Sequence, residues 1–226
     1  MFSGIFRLNY AMNLRIPFAA TLFRTIGSAA MLFCFTLFSI SSVAQDKTRE
    51  IDIVFAKLIA AMPEEAKLIA APYADRLNHY GKIATGRVNA NSDAIGGTAY
   101  EITVSQAGQH AYDAGAYLPI GGEIKKGEVI YVLFFARLLS DVGGAVRQVG
   151  LQLSEHPYTQ SFAQSFTVAP DWSSYTFAGK AHTDYASYEA QISFQLAAAQ
   201  QQIAIGPVYV LKLSDKVTLD TLPFLK

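Results

Sequence analysis

The sequence predicts an all-β protein: an antiparallel β-sandwich of jelly-roll type, with one short helix near its start. Three observations predict this. The run Val129-Ile-Tyr-Val-Leu-Phe-Phe-Ala-Arg137 follows directly on the charged turn Lys125-Lys126-Gly127. It is too short for a membrane span and rich in residues that suit a pleated surface, so it reads as a strand buried on both faces. From Ala99 onward, strand-like segments recur with turns at regular spacing, the mark of a sandwich or barrel. No helix-length periodic segment lies among them, which removes the crossover connections that parallel strands need.

The elements follow in order. Residues 45–50 are polar and form a loose start. Ile51 to Ala61 carries Ile, Val, Phe and Leu among alanines and stops before Pro63, so it reads as a short helix. Lys67 to Ala71 reads as a short strand ahead of Pro72. Asp93-Ala-Ile-Gly-Gly97 is a turn. Tyr100, Ile102 and Val104 alternate with Glu101 and Thr103, a half-buried strand. Gly115 to Ile120 is a short strand cut by Pro119, and Val129 to Leu139 is the long buried one. Asp141-Val-Gly-Gly144 is a hairpin-type turn. Beyond it Val149, Leu151 and Leu153 share one face with Arg147, and Gln148, Gly150, Gln152 and Ser154 the other. Phe162, Phe166 and Val168 mark a further strand, and Trp172 to Gly179 another. In the next strand Tyr188, Ala190, Ile192, Phe194 and Leu196 face inward; Glu189, Gln191, Ser193 and Gln195 face outward. Ile203 to Leu213, interrupted at Gly206-Pro207, is the last of about eight strands.

Residues 1–44 read as a secretory signal peptide. Arg7, Arg15 and Arg24 stand there without an acidic residue, an apolar stretch covers 29–40, and Ser42-Val43-Ala44 supplies the small residues of a cleavage site. Met12 offers an alternative start. The apolar stretch falls short of the ~20 residues of a span, which disfavours an uncleaved anchor. Cys34 lies inside it without small residues before it, which disfavours a lipoprotein. Cleavage after Ala44 places the remainder in the periplasm or outside the cell, the membrane being met only through the signal peptide. It also removes the only cysteine, so no disulfide forms and the core alone stabilises the fold. The formal charge goes from 0 to −3, with 15 basic and 18 acidic residues left. That leaves no electrostatic footprint for nucleic acid. The expected division is 45–80 as an extension with the helix, 81–213 as the sandwich, and 214–226 as a tail.

The order of features resembles carbohydrate-binding modules of the jelly-roll type found beside xylanases and other plant-cell-wall hydrolases, families 4, 9 and 22. The segments that carry the resemblance are Gly97-Thr-Ala-Tyr-Glu-Ile-Thr-Val104 and Ile124-Lys-Lys-Gly-Glu-Val-Ile-Tyr-Val-Leu-Phe-Phe-Ala-Arg137. Asp171-Trp-Ser-Ser-Tyr-Thr-Phe177 and Gln202-Ile-Ala-Ile-Gly-Pro-Val-Tyr-Val210 complete it. It covers roughly residues 90–213 and implies polysaccharide as partner, xylan- or glucan-like, with a glycoside hydrolase acting alongside. The chain has no room for a catalytic domain, so it is expected to act as an accessory protein or to be a piece of a longer product. Two departures stand out. Such modules carry an acid before the last apolar run that helps hold a structural calcium; here the positions are Gly206-Pro207, so calcium loses a ligand there and no cofactor is expected, a structural calcium being left open. Residues 51–80 also lack the usual opening with Asn, Phe and Glu.

Sugars are held by aromatic faces packed on their C–H patches and by amides or carboxylates matched to pairs of hydroxyls. The outward amides and acid Gln152, Glu189, Gln191 and Gln195 suit the second device. Tyr112 and Tyr158 suit the first, because each lies in a polar segment where a core aromatic would be out of place. Trp172, the only tryptophan, is a candidate for the same role or a plug at a strand start. Arg137 ends an apolar strand and must find a partner: a carboxylate, or a sugar hydroxyl or uronate. Enzyme signatures are scarce: no nucleophile elbow, no His-Glu-x-x-His, no phosphate loop. His79, His110, His156 and His182 lack metal-ligand spacing. A glycosidase or lyase would need two acids across a cleft, and Glu101 and Glu189 are the pair available. A module that docks a partner protein at the cell surface is the remaining alternative.

Overall fold

The two most apolar strands of this chain have no polar face to offer water, and the fold covers both of their sides. The computed structural model describes residues 47–140 and 148–223. The signal peptide expected over 1–44 and the turn expected at 141–144 lie outside the described residues. Helix α1 spans 47–60. The strands follow as β1 (Lys67–Leu68), β2 (Asn78–Tyr80), β3 (Ala84–Asn89), β4 (Ala99–Val104), β5 (Gly115–Ile120) and β6 (Val129–Leu138). After these come β7 (Gln148–Leu153), β8 (Gln160–Gln164), β9 (Ser173–Lys180), β10 (Ala190–Gln195) and β11 (Gln201–Leu213).

All the pairings are antiparallel and make two sheets. The first has the order β3-β4-β11-β6-β9, with β1 also on β11; the second has the order β2-β5-β10-β7-β8. They pack face to face as a jelly-roll sandwich. Eleven strands replace the expected eight or so. The extra ones are short or polar: β3 reads Ala-Thr-Gly-Arg-Val-Asn, and as an edge strand it needs no apolar alternation. The stretch 45–80, expected as an extension, supplies β1 to one sheet and β2 to the other. The strand expected around Phe162 to Val168 ends at Gln164; Phe166 reaches the core from the loop beyond. Gly206-Pro207 forms a bulge in β11 between Ile205 and Val208, where a proline without an N–H interrupts the ladder least.

Alternation along each strand fills the space between the sheets. Ile130, Val132 and Phe134 of β6 meet Ile192 and Phe194 of β10 and Leu151 of β7. Phe134 is the centre of this contact: its ring lies edge-on to Phe166 (5.3 Å) and Phe194 (5.2 Å) and stacks on Tyr175 (5.2 Å). Each such aromatic pair adds to the apolar burial. The opposite face of β6 and β11 carries Val129, Tyr131, Leu133, Tyr209 and Leu211, all fully buried, and α1 covers it. The helix does so because Ile51, Val54, Phe55, Leu58 and Ile59 recur at helical spacing on one side, while Asp52 and Lys57 stay in water. Phe55 stacks on Tyr209 (6.5 Å), and the Tyr209 hydroxyl donates to the Ile51 carbonyl (2.9 Å). Leu222 joins the same cluster, and the Tyr131 hydroxyl donates to the Pro223 carbonyl (2.6 Å).

Two predictions test this packing. Truncating Phe134→Ala should cost about 3–5 kcal/mol in urea unfolding, the usual toll of a large cavity in a core. Burial also pushes the Tyr131 phenol from its ordinary 10.0 up to about 12. The fold therefore favours its protonated form. Stability should be intact below pH 10 and fall as pH rises towards 12. Tyr131→Phe should reduce that alkaline loss, measured by urea midpoints at successive pH values.

Candidate functional site

One sheet face is left open, that of β2-β5-β10-β7-β8, and a cleft of about 1240 Å³ lies on it. The register builds its floor in rows. Gln191 pairs with Pro119 on one side and Gln152 on the other, and Gln152 with Gln160. Two residues along, Ser193 stands between Tyr117 and Gly150; two further, Gln195 stands between Gly115 and Gln148. Two glutamine rows thus flank a row whose Ser193 and Gly150 are small. Gln152, Gln191 and Gln195 are 6%, 6% and 8% exposed, so their amides lie on the floor rather than waving in solvent. Gln160 donates weakly to Gln152 (3.5 Å). Among the described residues, the Gln191 and Gln195 side chains make no hydrogen bond. Amides on a cleft floor without protein partners await a ligand or water.

Tyrosines frame this floor. Tyr112 is 58% exposed and Tyr158 52% exposed, and both line the cleft. The first sits on a single turn, Ala111–Asp113, closed by the Asp113 carboxylate accepting from the His110 N–H (2.8 Å); the His110 ring lies tilted beside the Tyr112 ring (4.9 Å). The second sits at the tip of the β7–β8 turn, where its N–H donates to the Glu155 carbonyl (2.7 Å). Tyr80 and Tyr117 complete the β2–β5 side, ring centres 6.4 Å apart. The Tyr80 ring crosses Gly115, where a Cβ would meet it at 2.7 Å, and its hydroxyl reaches Ser193 Oγ (3.4 Å). Burial raises the Tyr80 phenol above 10.0 against the lowering effect of that hydrogen bond, so it is a neutral donor and acceptor at neutral pH. Among the described residues, Glu155 is the single carboxylate lining the cleft, and no Lys or Arg lines it.

Five of the expected site residues, Tyr112, Gln152, Tyr158, Gln191 and Gln195, are brought together here. Three are not. Arg137 and Trp172 lie on the other sheet: Arg137 sits over the Trp172 ring (5.1 Å) and donates to Asp93 (2.9 Å), and the Trp172 indole N–H donates to the same carboxylate (2.9 Å). Glu189 accepts from the Ala186 N–H (2.8 Å) in the β9–β10 turn and does not line the cleft. Glu101 stands on the other sheet, held by Asn89 (2.7 Å) and Arg87 (2.7 Å), which keep its carboxyl below the usual range. The pair Glu101 and Glu189 therefore cannot face one another across a cleft. Tyr188, expected inside, is 68% exposed at the cleft rim, because β10 begins only at Ala190. Tyr117 and Pro119 were findable, since they alternate with the buried Ala116, Leu118 and Ile120; Tyr80 and Gln160 had no such signal. Among the described residues no group of three or more His, Cys, Asp or Glu is placed to hold a metal. The bulge residue Gly206, where the calcium acid is missing, packs by Trp172 and Phe135 instead.

No protein-family model matches the sequence, and no curated protein matches it. Solved structures do. The second N-terminal cellulose-binding domain of Cellulomonas fimi β-1,4-glucanase C is 18% identical, over 69% of this chain and 99% of that one, at a TM-score of 0.49. The first such domain of the same enzyme is 22% identical, over 69% and 97%, at 0.45. A CBM22-1 xylan-binding domain from Paenibacillus barcinonensis is 10% identical, over 66% and 93%, at 0.43. At identities and TM-scores this low, none of these likenesses extends to what this chain binds.

The cluster on the far sheet gives a direct test. The Trp172 N–H above all, then Arg137, holds the Asp93 carboxyl below its ordinary 3.8. A depressed carboxylate stabilises its contacts above the ordinary value and loses them as pH falls through its own. Fluorescence of the single tryptophan should change with a midpoint below pH 3.8, and Asp93→Asn should abolish that step.

Proposed function

We propose that the chain binds a neutral, xylan- or glucan-like polysaccharide in this cleft without cleaving it. The observation that carries the reading is the juxtaposition of exposed Tyr112 and Tyr158 with the amides of Gln191 and Gln195, which reach the cleft floor without a partner among the described residues. Exposed tyrosine rings offer sugars a flat apolar face, and their hydroxyls stay wet. Planar amides present a donor and an acceptor side by side, which matches two neighbouring hydroxyls. Charge supports a neutral ligand: with Arg137 on the other sheet, the described lining of the cleft holds no Lys or Arg to meet a uronate. Cleavage by two carboxylates is not supported either, because Glu155 stands there without a second acid among the described residues. The leader read over 1–44 fits a binding protein working outside the cytoplasm, alone or beside a hydrolase.

Isothermal titration against soluble xylan, β-glucan and pectin fragments tests the proposal. Xylan or β-glucan should give heat that does not change with salt, since no charge pairs form; pectin should give none. Tyr112→Ala and Gln191→Ala should each weaken binding roughly tenfold, the size of one lost aromatic or hydrogen-bonding contact. A well-folded sample silent to every glycan, or binding untouched by both changes, would turn the reading towards a protein partner.

A further inference from the structure

We propose that Tyr188 is a sugar-stacking residue of this cleft, held in a strained backbone by Ser154 and Glu189; this rests on the carbohydrate reading above. Tyr158 and Tyr188 are the only non-glycine residues with positive φ in the described chain, at 56° and 65°. Both are tyrosines, both are more than half exposed, and both line the same cleft. A bulky side chain in this region is an outlier. Such strain persists only where the surroundings enforce it, and it gathers at functional sites.

The surroundings of Tyr188 do enforce it. Its N–H donates to the Ile120 carbonyl (2.9 Å), and its carbonyl accepts from the Ser154 hydroxyl (2.9 Å). The Ser154 N–H donates to the Glu189 carbonyl (2.9 Å), while the Glu189 carboxylate accepts from the Ala186 N–H (2.8 Å) and closes the turn. Below the ring lies Gly121, where a Cβ would come within 3.3 Å of the phenol oxygen. The backbone on both sides is tied, the ring rests on a glycine, and 68% of the residue still faces water. Core packing explains none of this, since an inward Tyr188 would have continued the β10 alternation with Ala190 and Ile192. A ring presented to a ligand does explain it. Glu189 thereby becomes a positioning residue, acting through the turn and not by touching sugar.

Titration of xylohexaose and cellohexaose, paired with thermal unfolding, tests the assignment. Tyr188→Gly relieves the positive φ and removes the ring. It should raise the Tm while weakening binding roughly tenfold. Tyr188→Phe should match the wild type in both. Ser154→Ala should weaken binding in the wild-type background and have no further effect on binding beside Tyr188→Gly. Wild-type affinity in Tyr188→Gly, or a lowered Tm there, would overturn the assignment alone. A wild type that binds neither oligosaccharide would overturn the carbohydrate reading and this assignment with it.

Discussion

Burial of β6 and β11 on both faces is the constraint from which the rest follows. Between Val129 and Ala136, and again between Ile203 and Leu213, the strands have almost no polar side chain to turn towards water. Each therefore needs a cover above and below. One cover is the second sheet, locked on by Phe134 against Phe194. The other is α1 with the segment around Leu222, tied through the hydroxyls of Tyr209 and Tyr131. With both faces of the first sheet occupied at its centre, the outer face of the second is the broad one left free. The cleft lies there because the core needed every other large surface.

That free face is chemically narrow. Among the described residues it offers tyrosine rings and glutamine amides, with one carboxylate and no Lys or Arg. Such a surface attracts neither phosphates nor uronates by charge, and it gives a metal no cluster of ligands. What it can do is lie flat against something both apolar and rich in hydroxyls. The charged groups of the chain are engaged elsewhere, as Arg137 with Asp93 and Arg87 with Glu101 show.

The sequence made most of the frame legible. Alternation in β4, β7 and β10 identified their inward faces, and the unbroken run of β6 announced burial on both sides. The same alternation put Gln152, Gln191 and Gln195 on one face, and the register then made them neighbours. Three things were hidden. Short polar edge strands such as β3 carry no period to read. Sheet membership cannot be seen from a single strand, so Arg137 and Trp172 looked like cleft residues until they fell on the other sheet. A backbone reversal at one residue breaks the period, which is why Tyr188 seemed to belong inside.

The helix on the far sheet also decides where the described ends of the chain fall. Lys47, at the start of α1, packs by Gly97, and the Pro223 carbonyl is held by Tyr131 of the first sheet. Among the described residues, neither the helix nor the segment around Leu222 lines the tyrosine-bearing cleft, so neither bars a long polymer from lying across it.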